Sequence, residues 1–177
     1  MYQLHPLIRE FLIGKREASG IADELKREFC RVMVGEARKI PETPTLAEIK
    51  AVNPVISHLA EAATTQQDWL IDDDLISPFG GLSRFYEGQG LYNQAEPWRK
   101  DCLSVTVQRL GENHPDVATS LHNLSTLYDN QGRYEEAEPV YLEALAIADR
   151  TLGSNHPNTI LYRNNLQLLR DRLRHSP

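Results

Sequence analysis

Apolar positions recur three and four apart along much of the chain, the spacing of helices with one buried face. The clearest stretch begins at Pro115. Val117, Leu121, Leu124 and Tyr128 mark one face of a helix, and Asn130-Gln131-Gly132 stops it, with Gly132 as the left-handed residue beyond its end. Proline is tolerated in a first helical turn, so Pro115 starts this helix, with Asn113 or His114 as its cap and Asp116 near its positive end. A second helix is predicted from about Tyr134 to Leu152, with Ala137, Tyr141, Ala144, Leu145 and Ala148 facing inward. Small Ala137 and Ala144 let the two helices approach, while Tyr141 and Leu124 fill the space around them. Gly153 ends the second helix, and Asn155-His156-Pro157 starts a third.

The first part of the chain follows a different plan. Leu7, Ile8, Phe11 and Leu12 predict a short helix over residues 5–17, broken by Ser19-Gly20. Ile21, Leu25, Phe29 and Val32 predict a second, ending near Ile40. Pro41-Glu42-Thr43-Pro44 reads as a turn. A third helical stretch covers residues 46–65, where Pro54 either kinks the helix or restarts it after Asn53. Asp72-Asp73-Asp74 then opens the first helix of the next segment.

That next segment repeats. Residues 90–115 and 132–157 align at an offset of 42, with 11 of 26 positions identical: Gly90, Tyr92, Ala95, Glu96, Pro97, Leu103, Leu110, Gly111, Asn113, His114 and Pro115. The expected organisation is a divergent helical region over 1–70 stacked on repeats over 71–177, which hold two full units and a terminal helix. Arg163 and Arg170 stand at normally apolar or aromatic sites of the third unit, as a helix facing water at the end of an array requires.

These residues resemble the tetratricopeptide repeat. With Ala137 at position 20 of that pattern, Leu121, Leu124, Ser125, Tyr128, Ala137, Tyr141 and Ala144 fall on its signature sites. The preceding unit fits at Phe79, Leu82, Ser83, Tyr86 and Ala95, but Arg99 and Cys102 replace its later aromatic and alanine. The long period and the text LGENHPDVATSLHNLSTLYDNQGRYEEAEPVYLEAL are similar to kinesin light chain and nephrocystin-like repeats. The resemblance implies an all-α fold, a right-handed superhelical solenoid of antiparallel helix pairs. The opening YQLHPLIREFL, with the later FGGLSRFYEGQGLYNQAEPW, resembles the repeat region of NB-ARC-type signal-transduction ATPases. No Walker loop accompanies it, so no ATP hydrolysis is assigned to this chain.

Composition narrows the chemistry. The net charge of −6 comes with no basic stripe, which argues against nucleic acid. No apolar run is long enough to span a membrane, and the first residues lack the plan of a signal peptide, so a cytoplasmic location is expected. Cys30 and Cys102 stand far apart among apolar neighbours and read as packed thiols. Three adjacent carboxylates at Asp72–Asp74 cannot all face one point on a helix, so they read as a helix start and not a metal site. His114 and His156 recur beside proline without a nucleophile at fixed spacing, which fits capping better than catalysis. No enzyme activity and no cofactor are expected.

What remains is binding. In tetratricopeptide arrays the first helices line the concave face, and the resemblance implies a groove of Arg84 and Glu87 in one unit, Thr119, His122, Asn123, Thr126 and Asn130 in the next, and Asn164 and Asn165 in the last. Asparagine offers both a donor and an acceptor, so Asn123 and Asn165, one period apart, can clamp the main chain of an extended peptide, as groove asparagines of kinesin light chains do. Arg84 would select an acidic group. Gly80 and Gly81 either give a partner room or permit close helix packing. The expected partner is a protein or peptide ligand. The competing reading is a homo-oligomer formed through terminal helices.

Overall fold

The structure, a computed structural model, describes residues 19–175. Among the described residues it is all-α, with eight α-helices, three 3-10 turns and no strand. Packing divides the chain into two compact units that meet at Gln89 and Gly90. Residues 71–89 therefore pack with the N-terminal helices, although the 42-residue period groups them with the repeats.

The first unit holds α1 (Ser19–Arg38), α2 (Leu46–Val52), α3 (Ile56–Ala63) and α4 (Ser77–Glu87). The expected helix over 5–17 lies outside the described residues. Helix α1 begins at Ser19, where the sequence predicts a break, and includes Gly20. Its buried stripe is Cys30, Met33, Val34 and Ala37, while Val32 is exposed, so the face lies a step away from the one expected. Thr45 caps α2 with a reciprocal box: its hydroxyl accepts from the Glu48 amide at 3.3 Å, and the Glu48 carboxylate accepts from the Thr45 amide at 2.7 Å. Pro54 restarts the chain in a 3-10 turn, Asn53–Val55, before α3. Asp72–Asp74 forms its own 3-10 turn and does not open α4, which starts at Ser77 just before Pro78. Asp74 instead pairs with Arg38 at the end of α1.

Gly81 explains itself here. A Cβ at this position would lie 2.8 Å from the Cβ of Ala37, so α4 approaches α1 more closely than any other residue would permit. Of the two readings offered by the sequence, close helix packing is the observed one.

The second unit holds α5 (Tyr92–Leu110), α6 (Pro115–Asn130), α7 (Tyr134–Thr151) and α8 (Pro157–His175). Helix α6 packs on α5 and most extensively on α7, and α8 packs on α7. Ala137, Tyr141, Ala144 and Ala148 are buried on α7, against Val117, Leu121, Leu124 and Tyr128 of α6, as the periodicity predicts. Gly90 and Gly132 form one repeat pair with φ of 72° and 74°, and Gly111 and Gly153 another with 83° and 88°. Each stops a helix by taking the left-handed conformation that side chains disfavour. His114 caps α6: its Nδ1 accepts from the Asp116 amide at 3.2 Å, and His156 does the same for the Asn158 amide at 3.2 Å. Cys30 and Cys102 are buried free thiols, in line with their apolar surroundings.

Candidate functional site

The second unit places its two first-type helices, α6 and α8, in lateral register. Among the side-chain contacts that join them, three polar ones each span 43 residues. The Tyr162 hydroxyl donates to Thr119 Oγ1 at 3.1 Å, Asn165 Nδ2 lies 2.9 Å from His122 Nε2, and Arg172 pairs with Asp129. The repeat period is 42, so α8 sits against α6 one residue out of step with its own sequence equivalent.

His122 is the centre of this seam. It is 8% exposed. Its ring stacks on Tyr162 with centroids 4.2 Å apart and meets the edge of Tyr141 at 5.6 Å. Burial pushes its imidazole pKa down to about 4; a side-chain hydrogen bond with Asn123 opposes the shift, and the Arg99 charge adds to it. The ring is therefore neutral near pH 7, so it takes part in hydrogen bonding and packing without carrying charge. Thr126 donates to the His122 carbonyl at 2.9 Å and lies 3.0 Å from the Tyr141 hydroxyl. Burial raises the Tyr141 and Tyr162 hydroxyls above their usual pKa range, which keeps both protonated.

Thr119, His122, Asn123, Thr126 and Asn165 thus come together on one face. Asn165 is half-buried and engaged with His122, while its neighbour Asn164 is exposed. Asn123 is half-buried, and Asn130 is exposed at the end of α6, beside a cleft of about 550 Å³ lined by Gly90, Leu91, Asn93, Gln94 and Gln131. Arg84 and Glu87 belong to the first unit. The Arg84 guanidinium donates to the carbonyls of Ile40 at 2.8 Å and Ala37 at 3.1 Å, and meets Glu42 at 3.2 Å, so it closes the C-terminal end of α1. Glu87 accepts from the buried Ser83 hydroxyl.

Four residues of this face are absent from the sequence-based site. Tyr141 and Tyr162 read there as core or went unremarked, yet their hydroxyls finish the polar seam. Leu161 and Leu168 are 47% and 55% exposed on α8. They stand one period after the groove residues Thr119 and Thr126, so the register alone could have found them.

Among the described residues no cluster of histidine, cysteine or carboxylate is placed to hold a metal ion. No helix among them is long and apolar enough to cross a membrane.

The family model for the tetratricopeptide repeat matches residues 74–148 and 130–175. The chain belongs to the tetratricopeptide repeat family. Members of this non-catalytic repeat family serve generally as scaffolds for protein–protein interaction. Similar solved structures include BtubC (BKLC) from P. vanneervenii, with 22% identity and a TM-score of 0.52 over 84% of this chain. Another is a putative kinesin light chain from Podosopora anserina with nearly identical TPR-like repeats, at 19% identity and a TM-score of 0.55 over 82% of this chain. At these identities the likeness is one of fold. The chain spans just under two thirds of each of those proteins, 65% and 64%. No curated protein matches it.

Proposed function

We propose that the second unit binds a polypeptide partner along the face shared by α6 and α8, with Asn123, Thr126, Asn130 and Asn164 as the contacting side chains. The observation that carries this reading is the His122–Asn165 contact with its stacked and hydroxyl partners. That network fixes the two helices against each other, so the amides beside it are held in place before a ligand arrives, which lowers the ordering cost of binding. Amide side chains satisfy main-chain donors and acceptors whatever the ligand's sequence. The test is a peptide array probed with the full chain and with Asn123→Ala, Asn130→Ala and Asn164→Ala variants. Loss of captured peptides without loss of folded protein supports the reading; equal capture by all variants overturns it.

In this reading the chain serves as the sensor region of a larger NB-ARC-type signalling ATPase. The support is the resemblance of YQLHPLIREFL and FGGLSRFYEGQGLYNQAEPW to the junction and first repeats of such proteins. Mapping the transcript upstream of the Met1 codon tests it. An in-frame nucleotide-binding module is expected, and an in-frame stop overturns it. Self-association is the second reading, favoured by the exposed apolar side chains Ile160, Leu161 and Leu168 on the terminal helix. Light scattering over a concentration series tests it, and a monomer throughout removes it.

A further inference from the structure

Asn123 and Asn165 stand one repeat period apart, yet both bond to the same imidazole, that of His122. By sequence they are equals, each with a donor and an acceptor to offer. In the folded chain they are opposites. Asn165 reaches the ring from α8 with Nδ2, 2.9 Å from His122 Nε2. A side-chain amide nitrogen only donates, so Nε2 is the accepting nitrogen and carries no proton. Burial holds the His122 pKa down to about 4, so the ring is neutral near pH 7. A neutral imidazole has a single N–H, which here falls on Nδ1. The ring is also locked against turning over. It is 8% exposed, stacked on Tyr162 at 4.2 Å and set against the edge of Tyr141 at 5.6 Å.

The bond to Asn123 has the opposite sense. It raises the imidazole pKa, so it favours the protonated ring. An oxygen that accepts from a ring N–H acts in this way, whereas an amide N–H that donated to the ring would favour the neutral form. We infer that His122 fixes the polarity of Asn123 within the polypeptide-binding face proposed above. His122 Nδ1–H donates to Asn123 Oδ1, which leaves Asn123 Nδ2 to face the ligand and read a main-chain carbonyl there, not an N–H. His122 is thus a positioning residue, and Asn165 on the neighbouring helix sets its tautomer. The ligand feature it selects is a hydrogen-bond acceptor of the main chain opposite Asn123. Gly80 and Asn164 take the place of His122 one period to either side and bring no ring. Among the period-related residues Gly81, Asn123 and Asn165, the ring therefore singles out Asn123 as the fixed donor.

Long-range proton–nitrogen NMR of the full chain near neutral pH reads the tautomer directly, because protonated and bare ring nitrogens resonate far apart. The His122 signals, assigned by their loss in His122→Gln, are expected to show a protonated Nδ1 and a bare Nε2. Asn164→Ala keeps that pattern. Asn165→Ala, which frees Nε2, shifts it toward the other tautomer, and thermal melting confirms that both variants are folded. A protonated Nε2 in the native chain, or a pattern indifferent to Asn165→Ala, overturns the inference. The ligand side is tested with a peptide that the native chain captures on the array. The peptide is remade with single main-chain carbonyls reduced to methylene and, separately, with single main-chain nitrogens methylated. One carbonyl reduction is expected to cost the native chain tenfold or more in affinity and Asn123→Ala less than twofold, which places that carbonyl on Asn123. Coupling of Asn123→Ala to a methylated nitrogen, or to neither change, overturns the inference. An array that captures no peptide overturns the proposed function and this inference with it. Captured peptides together with a protonated Nε2 leave the proposed function standing and overturn this inference alone.

Discussion

Asn165 Nδ2 lies 2.9 Å from His122 Nε2, and the two residues belong to helices one repeat apart. This makes Asn165 a structural residue as well as a neighbour of the proposed groove. Asn165→Ala leaves a buried imidazole nitrogen without its partner, which costs about 1–3 kcal/mol. Asn164→Ala, one residue away and exposed, leaves stability unchanged. Denaturant unfolding of the two variants checks this, and equal stability would remove the seam from the account.

The seam also sets a pH dependence. The His122 pKa lies at about 4 in the folded protein, below its ordinary value of 6.5. Between those values the unfolded chain binds a proton that the folded chain does not, so stability falls as pH drops from about 6.5 toward 4. The shift is worth roughly 3 kcal/mol when fully expressed. In His122→Gln the part of the pH dependence due to this residue disappears. Chemical denaturation from pH 7 to pH 4.5 measures both proteins, and parallel curves would contradict the assignment.

Thr159 is fully buried, and its hydroxyl has no hydrogen-bond partner among the described residues. Its equivalent one period earlier is Val117, which is buried in the same kind of environment. Thr159→Val removes an unsatisfied polar group at nearly constant volume and stabilises the protein by about 1–2 kcal/mol. A rise in melting temperature is the expected readout; a fall would mean the hydroxyl has a partner.

Ala137 has no exposed surface where α7 crosses α6. Ala137→Leu adds three carbon atoms to this contact and costs roughly 1–3 kcal/mol. Equilibrium unfolding measures the loss, and a neutral result would show that the repeat register is misplaced.

The repeat was legible because its signals are local. Gly132 and Gly153 need a left-handed backbone, His114 and His156 each cap the helix that follows, and Ala137 and Ala144 mark close approach; each acts within a turn or two of sequence. The first unit was harder to read. Val32 reads as part of the buried face of α1, yet Cys30, Met33, Val34 and Ala37 form that face and Val32 is exposed, because the packing of α3 and α4 on α1 decides which side is covered. Asp72–Asp74 reads as a helix start from charge alone, but Pro78 and the Arg38–Asp74 pair set the helix start a few residues later. Arg84 reads as a groove cation, and only the folded path of α1 brings the Ala37 and Ile40 carbonyls to it. The partner of His122 is 43 residues away. The period of 42 points to Asn164, and the one-residue lateral offset that selects Asn165 comes from helix packing, which no local pattern encodes.

In the proposed function the α6–α8 face of the second unit holds a polypeptide. Its most direct measurement is selection from a random peptide library on the immobilised full chain, alongside an Asn123→Ala/Asn130→Ala/Asn164→Ala variant with an unchanged melting temperature. Peptides are expected that bind the native chain and lose at least tenfold in affinity for the variant. Peptides that bind both proteins equally, or a library that yields no binders to the native chain, would contradict it.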